Sequence, residues 1–158
     1  MSDHIGSVEL RAVVPDDLEI FFRQQQDPES NDLAKVFPRS RSYFDAHWEQ
    51  SLCNPTVIVR TILLDGVVAG RVTSFTVEGT TMVGYWIERA HWGKGIATRA
   101  MEAFVGTVDI RPLHAQVATS NIGSIKVLER CGFVKIGEKE SPEDERYAAC
   151  IEAEYILR

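Results

Sequence analysis

The stretch Gly84-Tyr85-Trp86-Ile87-Glu88-Arg89-Ala90-His91-Trp92-Gly93-Lys94-Gly95-Ile96-Ala97-Thr98 decides how this chain folds. An extended, aromatic-rich run leads into a turn with two glycines, and an amphipathic helix follows at once. Because Gly93 and Gly95 carry no side chain, the backbone can bend tightly and a bulky anion can approach the amides. The first amides of a helix lack an intrahelical acceptor, and the helix dipole adds positive charge there. The stretch therefore predicts a strand, a turn and a helix N-terminus that together bind a phosphate group.

The bulk composition is that of one globular domain. With 158 residues, 44% of them hydrophobic and 25% charged, the chain can bury a substantial core, and we expect one domain over residues 1–158. Lysine plus arginine number 17 and aspartate plus glutamate 23, so the formal net charge is −6. This acidic balance argues against general nucleic-acid binding, which needs a basic face. It fits a cationic substrate, although a solvated acidic surface is the more ordinary explanation.

Cysteine usage and the N-terminal residues indicate a cytoplasmic protein. Cys53, Cys131 and Cys150 are widely spaced and odd in number, with no metal-ligand pattern or disulfide framework. His91 and His114 have no partner at metal spacing, so we expect no metal. The N-terminus lacks a basic segment followed by an apolar core, and no apolar run approaches the ~20 residues that span a bilayer. We therefore expect a soluble cytoplasmic protein with no membrane partner.

Hydrophobic periodicity and turn residues predict an α/β domain with a mixed sheet. The expected strands cover residues 8–14, 57–64, 67–75, 81–88, 113–117, 133–137 and 147–157, and the expected helices begin at Pro15, Ser42, Ile96 and Ser120. Residues 27–40 contain two prolines and mixed charge, which predicts a loop. The second to fourth strands form an antiparallel meander through turns at Asp65-Gly66 and Glu78-Gly79.

The order of these elements predicts a sheet whose central strands separate, with helices on both faces. Gly84 inside the third meander strand indicates a β-bulge or a close backbone approach, and a bulge would splay the strand end from its neighbour. The following helix turns Ile96, Ala100 and Phe104 to the core. The strand at 113–117 has too little room before it for a hairpin, so it should lie parallel to the third meander strand through a right-handed crossover. The last two strands close the sheet as an antiparallel pair.

Two other nucleotide-binding patterns fit the glycine turn poorly. A Walker A loop requires Gly-x-x-x-x-Gly-Lys-Ser/Thr, and Lys94 is not placed to complete it. A dinucleotide fingerprint needs a third glycine where Thr98 stands, and it follows a first βαβ unit rather than an antiparallel meander. A nucleotide-dependent oxidoreductase stays open as a minor alternative.

Two segments together resemble the GNAT family of N-acetyltransferases. Trp92-Gly93-Lys94-Gly95-Ile96-Ala97 is similar to the family's pyrophosphate loop, [QR]-x-x-G-x-[GA], with Trp92 where glutamine or arginine is usual. The stretch from Asn121-Ile122-Gly123-Ser124 to Gly132-Phe133 is similar to the family's second motif, an N-x-x-S helix that ends in Gly-Phe. The runs Gly-Tyr-Trp-Ile and Trp-Gly-Lys-Gly are particularly similar to the ribosomal-protein N-acetyltransferase (RimJ/RimL-like) branch. The motifs cover residues 84–137, and the expected strand order agrees with the family throughout.

The resemblance implies that acetyl-CoA binds here as the cosubstrate. Main-chain amides from Trp92 to Ala97 would bind the pyrophosphate, and the Thr98 hydroxyl could add a hydrogen bond. The strand edge at Ile87 to Arg89 would pair with the pantetheine amides as an extra strand, and the Asn121 side chain would bond the pantetheine arm. The expected cofactor-binding residues are Trp86, Ile87, Glu88, Arg89, Trp92, Gly93, Lys94, Gly95, Ile96, Ala97, Thr98, Asn121, Ser124 and Lys126.

Each of these residues also has a purely structural explanation. The glycines could serve the turn alone, and Asn121 could be only the N-cap of its helix. Trp86 and Trp92 could be packing residues. Lys126 and Arg130 lie at i and i+4 and could reach the 3′-phosphate of the coenzyme, but a solvated basic face is the simpler explanation.

Direct acetyl transfer needs a neutral amine, a polarised thioester carbonyl and a proton for the departing thiolate. Backbone amides beside the splayed strand can polarise the carbonyl. Many GNAT enzymes protonate the thiolate with a tyrosine at the position of Leu128, so we expect Ser124, one turn earlier, to replace it. The structural alternative is a serine bonded to its own helix backbone. Among the candidate general bases Glu88, Glu138 and Glu140, we place Glu88 first because it ends the strand near the expected thioester.

The sequence therefore favours an N-acetyltransferase that acts on a protein N-terminus or a small cationic amine. A non-catalytic acyl-CoA-binding sensor stays open, because Leu128 replaces the usual tyrosine. The first two helices and the acidic loop 138–145 would flank the acceptor groove. Its aromatic walls are expected from Phe21, Phe22, Tyr43, Phe44, His47 and Trp48. The acceptor, the acyl length and the oligomeric state, a homodimer included, are left open.

Overall fold

The computed structural model describes residues 6–158 and shows an α/β fold. The first five residues, where the sequence predicts no signal peptide, lie outside the described residues. The elements are β1 (Val8–Ala12), α1 (Pro15–Gln24), α2 (Pro28–Ala34), α3 (Arg41–Cys53), β2 (Ile58–Leu64), β3 (Val67–Val77), β4 (Thr80–Ile87), α4 (Ile96–Val105), β5 (Leu113–Ala118), α5 (Ile122–Arg130), β6 (Val134–Ser141) and β7 (Cys150–Leu157). A 3₁₀ turn, Arg89–His91, joins β4 to the glycine turn. Within this range, no helix has the length and apolarity needed to cross a membrane.

The strands form one mixed sheet in the order β1-β2-β3-β4-β5-β7-β6. The antiparallel meander is confirmed, and its two-residue turns place Asp65, Gly66, Glu78 and Gly79 at φ between 50° and 83°. This left-handed conformation matches the twist of tight hairpins. The predicted parallel pairing of β4 with β5 and the antiparallel closure by β6 and β7 are also confirmed.

β4 and β5 separate near their first residues. Only Thr81 with Leu113 and Met82 with His114 are paired, although both strands continue well beyond these positions. Each strand keeps its other neighbour over its full length, β3 for β4 and β7 for β5. Because each follows its own antiparallel partner, the two strands diverge and leave a wedge between them, which we call the β4–β5 wedge.

Neither explanation of Gly84 is confirmed, because β4 has no bulge there and a Cβ on Gly84 would meet nothing within 4 Å. β3 and β4 pair in unbroken register through Gly84, which faces Thr73. The irregularity lies between β2 and β3, where the register shifts and leaves Ala69 without a partner on β2. Next to it, a Cβ on Gly70 would lie 2.0 Å from the Trp86 carbonyl oxygen, so only glycine fits this close approach of β3 to β4.

Helices cover both faces of the sheet, as the sequence predicts. On one face α4 and α5 pack into the larger core, and the predicted stripe of Ile96, Ala100 and Phe104 is at most 1% exposed. On the other face α1 and α3 form a second, aromatic cluster around Phe21 and Trp48. The two faces therefore carry two separate apolar clusters, one beside the glycine turn and one on the opposite side.

Two segments differ from the sequence-based expectation. Residues 27–40 are not all loop, because α2 forms within them; Asp27 caps it by accepting from the Ser30 amide at 3.0 Å. A seven-residue helix shows too little periodicity to be detected in the sequence. β6 extends to Ser141, so Glu138 and Glu140 lie in a strand rather than in the acidic loop.

A buried carboxylate joins β1, α1 and β2. Asp17 is 2% exposed and accepts hydrogen bonds from both terminal nitrogens of Arg11, from the Val14 amide at 3.0 Å and from the Thr61 hydroxyl at 2.7 Å. Burial alone would raise the pKa of Asp17, but these hydrogen bonds together hold it below its usual value. The carboxylate therefore stays ionised and ties the first helix to the sheet.

Candidate active site

The glycine turn after β4 presents a run of main-chain donors. Gly93 and Gly95 have φ of 77° and 76°, and Gly95 is the N-cap of α4 without a side-chain cap. Among the described residues, the six consecutive amides from Gly93 to Thr98 donate no hydrogen bond. The Trp92 amide, expected to join them, instead bonds the Arg89 carbonyl at 3.0 Å. Free amides at a helix N-terminus bind anions, and we call this segment the amide turn.

The Trp92 side chain holds the amide turn against the end of β4. Its indole nitrogen donates to the Ile87 carbonyl at 2.9 Å, and 39% of the residue is exposed. The side chains of Ile96 and Ala97 point to the core, so these two residues offer only their amides. Lys94 is exposed beside them.

The open edge of β4 begins two residues earlier than the sequence predicts. The Glu88 amide donates to Ala69 on β3 at 2.8 Å, and the Glu88 and Arg89 carbonyls accept from the 3₁₀ turn. Because main-chain groups alternate in an antiparallel ladder, Tyr85 and Ile87 then face the β4–β5 wedge. Of the expected edge from Ile87 to Arg89, Ile87 faces the wedge, whereas Glu88 and Arg89 do not, and Tyr85 joins Ile87 there.

Two charged residues at the end of β4 form ion pairs. The Arg89 guanidinium contacts Asp27 (Nε to Oδ2, 3.2 Å) and Glu29 (Nη1 to Oε2, 2.9 Å) at the start of α2. Glu88, 46% exposed in its side chain, contacts His91 (Oε2 to Nε2, 3.3 Å). Arg89 thus positions α2, and Glu88 has an imidazole beside it.

Two hydroxyl groups meet across the wedge. Tyr85 Oη and Ser124 Oγ lie 2.6 Å apart, joining β4 to α5. The Ser124 amide donates to the Asn121 side-chain oxygen at 3.3 Å, so Asn121 caps α5. Burial raises the pKa of Tyr85, and its bond to Ser124 offsets this only in part, so the phenol keeps its proton. Leu128 is 4% exposed in the core, one helical turn after Ser124.

The structure separates the other candidates from this pair. The Trp86 indole donates to the Gln24 carbonyl of α1 at 3.3 Å, on the face opposite α4. Lys126 is exposed on α5 and forms no ion pair with any described residue. Glu138 and Glu140 lie on the edge strand β6, with β7 and β5 between them and β4. Glu88 is therefore the one of the three carboxylates that the fold places at the end of β4.

Sequence reasoning missed Tyr85 as a functional candidate, although its position was available. Tyr85 follows Gly84 in the predicted strand, and alternation along a strand puts it on the same face as Val83 and Ile87. Of the expected aromatic walls, Phe21, Phe44 and Trp48 are at most 4% exposed and belong to the core, whereas Tyr43 is 57% exposed.

The comparisons with known proteins agree with this architecture. A family model described as an acetyltransferase (GNAT) domain matches residues 7–134. This chain belongs to the GNAT acetyltransferase family. A probable N-acetyltransferase, YjcK of Bacillus subtilis (strain 168), is 39% identical over 62 residues, which are 37% of this chain and 34% of that protein. The matched segment spans about a third of that relative's length.

Solved structures of the GNAT fold cover almost all of this chain. RimL, a ribosomal L7/L12 alpha-N-protein acetyltransferase in complex with coenzyme A, matches at a TM-score of 0.78 and 18% identity, over 96% of this chain and 93% of that one. A spermidine N-acetyltransferase from Vibrio cholerae, with coenzyme A and spermine, matches at a TM-score of 0.79 and 18% identity, over 95% of both chains. At these identities the likeness shows the fold.

Proposed function

We propose that this GNAT chain is an acetyl-CoA-dependent N-acetyltransferase that transfers the acetyl group directly to a primary amine. The observation that carries the proposal is the amide turn: six unpartnered amides at a helix N-terminus, beside a β4 strand with an open edge. Such donors fit a pyrophosphate, and an open strand edge fits the amides of a pantetheine arm.

The donor would bind along one side of the β4–β5 wedge. The amides from Gly93 to Thr98 would bond the pyrophosphate, and the main-chain groups of Tyr85 and Ile87 would pair with the pantetheine arm. Asn121 uses its side-chain oxygen to cap α5, while its Nδ2 donates no hydrogen bond within residues 6–158 and can bond the arm. Lys126 on the exposed face of α5 would contribute charge near the 3′-phosphate.

The hydroxyl pair supplies the proton for the departing thiolate. When the amine nitrogen bonds the acetyl carbon and the carbon–sulfur bond breaks, the thiolate needs one proton. Ser124 would donate it and take a proton from Tyr85, 2.6 Å away, and a proton from solvent would restore Tyr85 before the next turnover. Proton transfer by a positioned group contributes about 10²–10⁴-fold to such reactions.

The carboxylate of Glu88 would accept the proton that the attacking amine loses. The carboxylate is half exposed, and the His91 imidazole beside it is a second group near the reaction site. A carboxylate can act here through an intervening water molecule.

We also propose that the acceptor is a peptide N-terminus, as in the RimJ/RimL-like branch. The Gly-Tyr-Trp-Ile and Trp-Gly-Lys-Gly runs, which resemble that branch, support this assignment. A polycation is disfavoured if the acceptor binds beside Arg39, Arg71 and Arg146, which form no ion pair with any described carboxylate.

The proposal is tested by incubating the protein with acetyl-CoA and a mixture of peptides, polyamines and aminoglycosides, and then identifying acetylated products by mass spectrometry. We expect an acetylated peptide N-terminus and release of one free thiol per product. Tight binding of coenzyme A without acetylation of any amine would instead identify a sensor.

A further inference from the structure

Three arginines without a counterion lie near each other on the α1–α3 face of the sheet. Arg39 follows α2, Arg71 is in β3 and Arg146 precedes β7. Within residues 6–158, none of their guanidinium groups is in an ion pair with a carboxylate. We call this group the arginine cluster. In a chain of net charge −6, such a local excess of positive charge needs a specific explanation.

Arg71 lies among the aromatic side chains of the α1–α3 face, opposite the face that carries the Tyr85 hydroxyl. It faces Trp86 across β3 and β4, one residue along from Tyr85. Its guanidinium carbon is 5.6 Å, 5.3 Å and 5.9 Å from the ring centres of Phe21, Trp48 and Trp86. Its Nη1 is inaccessible to solvent and has no hydrogen-bond partner. The aromatic rings attract the cation but do not satisfy its donors.

Main-chain pairing brings Arg39 and Arg146 to the same place. The Phe37 amide donates to the Arg146 carbonyl at 2.7 Å, and the Ala148 amide donates to the Lys35 carbonyl at 2.9 Å. Gln25 holds the Arg39 main chain with two further hydrogen bonds, of 2.9 Å and 2.8 Å. The Nε atoms of both arginines are buried without a partner.

Further buried polar groups near the cluster have no hydrogen-bond partner among the described residues. Trp48 Nε1 is likewise buried without a partner, as are both polar atoms of the Gln24 amide. Burial and the three guanidinium groups lower the pKa of His47 to about 4, so the imidazole is neutral at pH 7. Burial, with Arg39 and Arg146 acting in the same direction, lowers the pKa of Arg71 to about 9. A bound oxyanion would offset the repulsion among these cations and accept hydrogen bonds from the buried donors.

The arginine cluster is not explained by the phosphates of coenzyme A. The amide turn begins α4, whose buried side chains belong to the core on the opposite face of the sheet. Arg71 belongs instead to the side of Phe21 and Trp48, where α1 and α3 pack. The two anion-binding features therefore lie on different faces, with β4 between them.

Building on the proposed function, we infer that the acceptor is an anionic amine: a peptide that carries an oxyanion, a carboxylate or a phosphate, close to its N-terminus and binds it with Arg39, Arg71 and Arg146. The cross-strand position of Arg71 beside Trp86 places this charge within a few residues of the reacting amine. A guanidinium binds either oxyanion through two parallel hydrogen bonds.

The test compares matched peptides that begin with serine followed by aspartate, asparagine, phosphoserine or lysine. We expect kcat/KM for the aspartate or phosphoserine peptide to exceed that of the asparagine peptide by about 10-fold or more, and the lysine peptide to be the poorest. The ratio of aspartate to phosphoserine identifies which oxyanion the cluster prefers. Equal rates for all four peptides would overturn the inference.

Variants then assign the preference to the cluster. R71M and R146Q should bring the ratio of kcat/KM for the aspartate peptide to kcat/KM for the asparagine peptide close to 1, whatever each variant does to the asparagine peptide alone, and R71K should keep part of the preference. The matched control is K139Q, which removes one positive charge on β6, where Lys139 pairs with Glu154 at 3.5 Å. K139Q should keep the full preference. The inference fails if K139Q and R71M behave alike.

Direct binding separates failure of this inference from failure of the proposed function. Because Trp48 and Trp86 lie beside Arg71, their fluorescence should report binding of each peptide in the presence of coenzyme A. If no peptide is acetylated but the acidic peptide binds at least about 10-fold more tightly than its amide counterpart, and R71M abolishes this difference, the anion site stands and the enzymatic proposal falls. No difference in binding overturns the anion site.

Discussion

Substitution of Gly95 by aspartate tests whether the amide turn binds a pyrophosphate. Gly95 is the N-cap of α4 at φ 76°, a conformation that aspartate and asparagine tolerate better than other residues. Both substitutions add a side chain of the same shape at the same left-handed position. G95N therefore serves as the matched control, and the difference between the two variants isolates one negative charge.

The size of the effect follows from Coulomb's law. A pyrophosphate bonded to the amides of the turn would lie about 5 Å from a carboxylate on residue 95, which costs about 3 kcal/mol per charge pair at an effective dielectric constant of ~20. This corresponds to a loss in affinity on the order of 100-fold. We expect G95N to lose far less, and both variants to lose similar stability because they share the backbone strain.

The assay is titration calorimetry of coenzyme A into the wild type and both variants, at low and at high salt. The gap between G95D and G95N should narrow at high salt, because added ions screen the partly exposed charges. Thermal unfolding of each variant confirms that the fold is retained. If G95D and G95N bind coenzyme A equally well, the pyrophosphate does not lie at this helix N-terminus and our reasoning is refuted.

Three further predictions concern residues around the wedge and the buried carboxylate. Y85F should lower kcat with little change in KM for acetyl-CoA, because the proton relay to Ser124 loses its second hydroxyl. The rate of thiol release measures kcat, and an unchanged kcat would exclude Tyr85 from the relay. W92F should raise the Kd for coenzyme A several-fold, because the hydrogen bond from the indole to the Ile87 carbonyl, which holds the amide turn, is lost. Calorimetry measures the Kd, and an unaltered Kd would show that the amide turn does not depend on this bond. D17N should reduce the free energy of unfolding by about 3 kcal/mol, because Arg11 loses its charged partner. The lowered pKa of Asp17 contributes stability above the unfolded-state pKa, near 4, and loses it as pH falls through the folded-state value. Urea unfolding from pH 7 to 2.5 should therefore show a smaller decline for D17N than for the wild type, and parallel declines would contradict this assignment.

Local patterns predicted much of the fold and the geometry of the glycine turn. The two-residue turns, the apolar stripe of α4 and the glycines of the amide turn each depend on neighbours in the sequence, so their structure could be derived without tertiary contacts. α2 was missed because seven residues offer too little periodicity. The bulge was placed at Gly84 because a glycine in a strand suggests one, whereas its true position near Ala69 depends on how β2, β3 and β4 pack together.

The parts of the site that sequence reasoning missed are set by long-range contacts. Tyr85 and Ser124 are 39 residues apart, and their contact depends on how α5 packs beside the open edge of β4. The arginine cluster combines residues from a loop, a strand and a second loop, which no motif links. The net charge of −6 gave no sign of this cluster, because a sum over the whole chain does not show where positive charges lie together.

The parting of β4 from β5 leaves the sheet as two antiparallel halves that share only two residue pairs. A pantetheine arm paired with Tyr85 would fill the gap between these halves and connect them through hydrogen bonds. The donor would then also stabilise the sheet of the protein that consumes it. Each reaction cycle releases one coenzyme and binds another. The sheet should therefore be connected across the β4–β5 wedge while the donor is bound, and open there after the coenzyme leaves.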